Sequence, residues 1–92
     1  MYQILYTNNF RKQLRKILKS GKNISEEITS IIDVLASGNP LQENLHNHRL
    51  QGKYKNMFEC HIRPNVLLVY EKDEENKIII FKALGSHTEL FK

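Results

Sequence analysis

The sequence predicts an α+β domain of order β-α-α-β-β-β(β), an antiparallel sheet with a helical hairpin on one face. Three observations lead there. Two apolar stripes at helical spacing come early, Phe10–Leu18 and Ile28–Leu35. Two continuous apolar runs come late, Val66–Tyr70 and Ile78–Phe81, with the length and β-branched content of buried strands. Between them, Phe58, Cys60 and Ile62 alternate with Glu59, His61 and Arg63, which is the period of a strand with one dry face. At 92 residues the chain makes one domain, 1–92, with a modest core.

Taken in order, Met1–Tyr6 sets Tyr2, Ile4 and Tyr6 against Gln3 and Leu5, which suits a short strand. Thr7 is an N-cap residue. Phe10, Leu14, Ile17 and Leu18 then form one apolar stripe, and Gly21 stops the helix. Ser25 is expected to cap a second helix, with Glu26 and Glu27 at the positive end of its dipole. Ile28, Ile31, Ile32 and Leu35 supply its apolar face, and Ser37-Gly38-Asn39-Pro40 ends it. Leu41–Leu45 reads as loop, followed by a short strand ending near Leu50 and a turn at Gly52. Pro64-Asn65 turns the chain between two strands, because proline fixes its φ and asparagine tolerates unusual ones. Asp73–Asn76 is a second polar turn, and Gly85-Ser86-His87-Thr88 leaves the sheet.

Net charge is +4 and the pI is about 9.3, a bias toward polyanions. Arg11, Lys12, Arg15, Lys16, Lys19 and Lys22 gather on the first helix and just beyond; Arg49, Lys53, Lys55 and Arg63 bracket the central hairpin. A single cysteine excludes an internal disulfide and suits a reducing, cytoplasmic compartment. Cys60 lies on the apolar face of its strand and reads as core. No stretch approaches the length of a membrane span, and the N-terminal residues lack a signal-peptide pattern.

Cleaving RNA by proton transfer needs a base for the 2′-OH, an acid for the departing 5′-oxygen and cations for the phosphate. Histidine fits both proton roles. His48, His61 and His87 fall at the ends of neighbouring strands, with Glu59, Arg49, Lys53 and Arg63 near them in sequence. The competing reading is a solvated sheet face with ordinary surface histidines. His46 and His48 could share a strand face, but no Cys or Asp sits at ligand spacing, and no metal or other cofactor is expected.

The combined pattern resembles a known family. His48-x-Leu50-x-Gly52, Glu59-Cys60-His61-Ile62-x-Pro64, a Leu-Leu-Val-Tyr strand and Gly85-Ser86-His87-x-x-Leu90-Phe91 are similar to the YafQ branch of the RelE/ParE toxin superfamily. The resemblance implies a microbial-RNase-like fold and metal-independent cleavage of mRNA in the ribosomal A site. It implies a cognate antitoxin that inhibits the toxin and joins it in repressing their operon, so that operator DNA is met only through the complex. It makes His87 the general acid and His48 the base, with His61 orienting or stabilising the phosphate. Glu59 matches an acidic position of the site, and Phe91 a tail aromatic that places the substrate base. Arg49, Lys53, Arg63 and Asn65 are the expected substrate-binding residues. Arg11, Lys12, Arg15, Lys16 and Lys19 are the expected ribosome-binding face. Two other readings stay open: a ParE-like toxin that binds a protein such as gyrase and cuts nothing, and a catalytically weak RNA-binding module.

Asn65 and Val66 stand where that family usually has aspartate and tryptophan. Asparagine hydrogen-bonds but neither takes a proton nor carries charge. Restoring the carboxylate with Asn65→Asp is expected to raise cleavage of translated mRNA, read by primer extension. Unchanged or lower cleavage would make the position structural.

Overall fold

The structure is a computed structural model and describes residues 1–50 and 56–90. Strand β1 (Gln3–Tyr6) leads into helices α1 (Asn8–Lys19) and α2 (Ser25–Ser37). A single 3-10 turn at Glu43–Leu45 precedes strands β2 (His48–Arg49), β3 (Met57–Arg63), β4 (Val66–Asp73) and β5 (Ile78–Gly85), and a one-turn helix α3 (His87–Leu90) follows. The α+β architecture and the element order are as expected. The turn at Gly52 lies outside the described residues.

The five strands form one sheet of order β1-β5-β4-β3-β2. Neighbours run antiparallel except β1, which pairs parallel with β5 from Gln3↔Ile78 to Tyr6↔Phe81. The sheet is therefore mixed rather than wholly antiparallel. The helical hairpin between β1 and the rest carries the chain back across the sheet, and a crossover of that length permits parallel pairing.

One face of the sheet holds the core. Phe10 from α1 and Ile24, Ile28, Ile31 and Leu35 from the α2 region pack on Cys60, Leu68, Tyr70, Ile79, Phe81 and Leu84. Phe10, Tyr70 and Phe81 make edge and tilted ring contacts, a geometry that aromatic quadrupoles favour. Tyr70 donates its hydroxyl to Asn47 Oδ1 at 2.7 Å, so its burial strands no polar atom, and that burial pushes the phenol well above its ordinary range. Two expectations fail locally. Leu18 is 38% exposed, because it lies at the rim of the α1 stripe. Ser25 is the first helical residue rather than the cap; Ile24 occupies the cap position, fully buried, while Asn23 Oδ1 accepts the Ser25 N–H.

α1 is fastened to β5 by side chains. Thr7 Oγ1 accepts the Phe10 N–H at 3.0 Å as the expected N-cap, and its hydroxyl proton is shared between the carbonyls of Phe81 and Lys82. Asn9 Nδ2 donates to the Lys82 carbonyl, and Gln13 Oε1 accepts the Leu84 N–H at 2.6 Å. These bonds continue the edge of β5 where β1 stops at Tyr6. Thr7→Ala removes the cap and the bridge together. Loss of an N-cap costs about 1 kcal/mol, so thermal unfolding should show a Tm about 4–8 °C lower or more.

Candidate active site

Across the sheet, His48 of β2, Glu59 of β3, Val69 of β4 and Ala83 of β5 lie in one row. His61, Leu67 and Gly85 form the next. Cross-strand partners share a face, and this is the face opposite α1 and α2. Its floor is dry: Leu67 is 2% exposed, Val69 4% and Glu59 5%. The half-solvated face suggested by alternation is thus solvated only at its rim.

Glu59 is the buried charge of this floor, and a carboxylate there requires partners. His48 Nε2 lies 3.5 Å from Glu59 Oε1, and His61 Nε2 lies 3.3 Å from the same oxygen. The two rings are 6.4 Å apart between centroids. His48 is open to solvent, while His61 is about one-third exposed. The arrangement holds two partly exposed imidazoles at fixed positions on one carboxylate. That suits proton transfer to or from a bound ligand.

A third imidazole joins them. His46 takes a left-handed backbone, φ 48°, after the 3-10 turn and sets its ring edge-on to His61 at 5.6 Å. From the sequence, His46 reads only as a weak metal-ligand candidate sharing a strand face with His48, one residue away across Asn47, and not as part of a catalytic cluster. The positive φ has no pattern signal in a histidine.

His87 opens α3, two residues beyond Gly85, and is exposed. The turn that carries it is a capping box. Ser86 Oγ accepts the Glu89 N–H at 3.2 Å, and Glu89 Oε1 accepts the Ser86 N–H at 2.8 Å. Lys16 of α1 reaches Glu89 Oε2 at 3.6 Å. Hydrogen bonds from Ser86, then the Lys16 charge, hold the Glu89 carboxyl below its ordinary value. A Cβ at Gly85 would meet Glu89 Oε1 at 3.1 Å, so glycine there leaves room for the box. The Ser86-x-x-Glu89 spacing is a sequence signature of such a box and a readable signal for the start of α3.

Other expected site residues are dispersed. Arg49 pairs with Phe58 and sets its guanidinium 5.3 Å from that ring's centroid, on the helix-bearing face of the sheet. A bulge between His61 and Arg63 turns Arg63 toward α2, where it binds Glu27 Oε2 at 2.8 Å and donates to the Asn23 carbonyl. Asn65 is exposed in the β3–β4 turn. Lys53 and Phe91 lie outside the described residues. Arg11, Lys12, Arg15, Lys16 and Lys19 are all exposed on α1. Burial pushes the Cys60 thiol up to about 12, so it supplies no thiolate at neutral pH.

The chain matches the family described as bacterial toxin of type II toxin-antitoxin system, YafQ, over residues 2–92. The mRNA interferase toxin YafQ of Escherichia coli is 25% identical over 88 residues, spanning 96% of this chain and 94% of its own. The crystal structure of a metal-bound toxin from Helicobacter pylori has a TM-score of 0.90 at 33% identity, covering 99% of this chain and 100% of that one. The toxin of the E. coli DinJ-YafQ complex has a TM-score of 0.89 at 25% identity, with both chains covered fully.

The capping box yields a test. Glutamine serves at its third position, whereas alanine does not. In hydrogen exchange, the Ser86 and Glu89 amides should stay protected in Glu89→Gln and lose protection in Glu89→Ala. Because the carboxyl is held low, its contribution to local stability is complete above the ordinary value of 4.5 and is lost as pH falls through the lowered one. Protection of these two amides should follow that direction.

Proposed function

The chain belongs to the YafQ family of bacterial toxins of type II toxin-antitoxin systems, and from that premise we propose that it is a ribosome-dependent mRNA endoribonuclease working by histidine acid–base chemistry. The observation that carries the reading is the buried Glu59 carboxylate holding His48 and His61 side by side on a dry floor. His48, the more exposed ring, takes the 2′-OH proton. Glu59 faces its Nε2 and so leaves Nδ1 as the accepting nitrogen. His61, backed by the same carboxylate, stabilises the phosphate as charge grows there. His87, on the capped turn that follows β5, protonates the leaving 5′-oxygen. These proton transfers require no metal.

The basic face of α1 supplies the ribosomal-RNA contact. Lys12, Arg15 and Lys19 are exposed there, while Lys16 also braces α3. Phosphate neutralisation by such cations makes binding salt-dependent. With Arg63 tied to Glu27 and Arg49 on the far face, phosphate binding at the histidines falls to Lys53 and to the imidazoles themselves. Asn65 lies in the turn beyond His61 and contacts the substrate through its amide, and Phe91 stacks on its base. A relative forms the DinJ-YafQ toxin-antitoxin complex, which supports a cognate antitoxin for this chain; in our reading that antitoxin masks the basic surface. Operator DNA is met through that complex. A ribosomal substrate places the protein in the cytoplasm; no helix among the described residues is long and apolar enough to cross a membrane. A gyrase-binding toxin would have no use for imidazoles gathered on one carboxylate, and the protein-binding alternative is weaker for that reason.

Positioned general acids contribute on the order of 10²–10⁴ in rate. His87→Ala should lower cleavage of ribosome-bound mRNA by that factor, with the thermal melt and antitoxin binding unchanged. Full cleavage by a folded His87→Ala variant would remove the assignment.

A further inference from the structure

We propose that the cleft between His46 and Pro64 takes the nucleobase of the nucleotide whose 2′-OH attacks, and that His46 sets which base is accepted there. The proposal deepens the endoribonuclease reading above and rests on it; binding of the base is measurable without cleavage.

β2 pairs with β3 only through His48↔Glu59 and Arg49↔Phe58. Beyond Glu59, β3 is flanked instead by the 3-10 turn and by the ring of His46, 5.6 Å from that of His61. Residues 44–46 and 61–64 line a cleft of about 420 Å³ there. That is the size of a small-ligand site. What fits it is flat and uncharged. Leu45, Ile62 and Pro64 contribute apolar wall. Arg63, which also lines it, is bound to Glu27 Oε2 at 2.8 Å and to the Asn23 carbonyl at 3.0 Å, so its guanidinium is already taken and does not call for a phosphate. Unpaired bases stack on rings such as imidazole and are read at their edges by side chains. His46 supplies the ring. Asn44, whose amide carries both donors and an acceptor, supplies a partner for the edge.

The ring is held in place from both sides. Leu45 packs against the core, Asn47 Oδ1 accepts the Tyr70 hydroxyl, and the His46 N–H bonds to the Glu43 carbonyl at 3.0 Å. Between these anchors His46 takes its left-handed backbone, which costs any residue that has a Cβ. A turn with no task for the ring would be served better by glycine. Sheet order then says which nucleotide is met. His48 on β2 takes the 2′-OH proton in the reading above, and His87 after β5 serves the leaving group, with β3 and β4 between them. His46 stands on the β2 side, so the base beside it belongs to the attacking nucleotide. Phe91 follows His87 in the chain, and the base it meets belongs to the leaving one.

The test compares the native protein with His46→Asn on ribosome-bound mRNAs that differ only in the base carrying the attacking 2′-OH. Asparagine tolerates the left-handed turn and removes the ring. Base–ring stacking accounts for roughly 5- to 150-fold in affinity, so native kcat/KM values should spread over about fivefold or more among the mRNAs. In His46→Asn the spread should close toward one, through KM rather than kcat. Equal native values on all the mRNAs would overturn the proposal. So would an equal fall on all of them in His46→Asn, because the ring would then only steady His61. Binding is read separately with a 2′-O-methyl RNA trinucleotide, which has no free 2′-OH to attack. The backbone amide signals of Asn44, His46 and Ile62 should move when it is added and stay still with an abasic trinucleotide of the same backbone. Movement with both, or with neither, would overturn the cleft as a base site. Native protein that cuts no ribosome-bound mRNA would instead remove the endoribonuclease reading, and the trinucleotides would still decide whether the cleft takes a base.

Discussion

The fold depends on how one edge of β5 is completed. β1 covers that edge only from Ile78 to Phe81. From Lys82 onward the strand would expose its backbone groups, which invites pairing with another chain. Thr7, Asn9 and Gln13 of α1 take over with side-chain hydrogen bonds to the Phe81 and Lys82 carbonyls and to the Leu84 N–H. The same helix then reaches Glu89 through Lys16. One helix therefore fixes both the edge of the sheet and the turn that presents His87. The bonds at Thr7 also cap that helix, so its own stability and its docking are one event.

The candidate site lies on the opposite face, and the division is physical. The helix-bearing face is filled by Phe10, Ile28, Ile31 and their sheet partners and has no room for a substrate. The other face keeps an apolar floor in Leu67 and Val69 but carries its polar groups in two adjacent rows, His48 with Glu59 and then His61. A carboxylate on such a floor interacts strongly with whatever stands beside it, because water is excluded. What stands beside it is His48 and His61.

The helices and the buried strands were legible because their signals are local. Apolar spacing gave α1 and α2, Thr7 gave the cap, and the β-branched runs gave β4 and β5. The gathering of His48, Glu59 and His61 was half legible: alternation puts Glu59 and His61 on one face, whereas the pairing His48↔Glu59 is a fact of register. What failed to show has the same origin. Nothing in Tyr2–Tyr6 says that its partner is β5 or that the pairing is parallel. Arg63 looked like a neighbour of His61 until the bulge turned it to Glu27, and Arg49 looked like a neighbour of His48 although adjacent strand residues face opposite ways. His46 came to the cluster through a left-handed residue that no periodicity announces.

The parallel pair β1–β5 sets an order of events in synthesis. β1 ends at Tyr6, and its partner residues run from Ile78 to Phe81. As the chain emerges, β1 has no strand to join until β5 has been made, some seventy residues later, and contacts so distant in sequence are slow to form. α1 lacks its anchor for the same interval, since the carbonyls that Thr7 and Asn9 bind belong to Phe81 and Lys82. The lysine that braces the His87 turn sits on that waiting helix. In a nascent chain the turn that carries His87 therefore stays without its brace until β5 and α3 have emerged, an interval in which a partner can meet the chain before that turn is fixed.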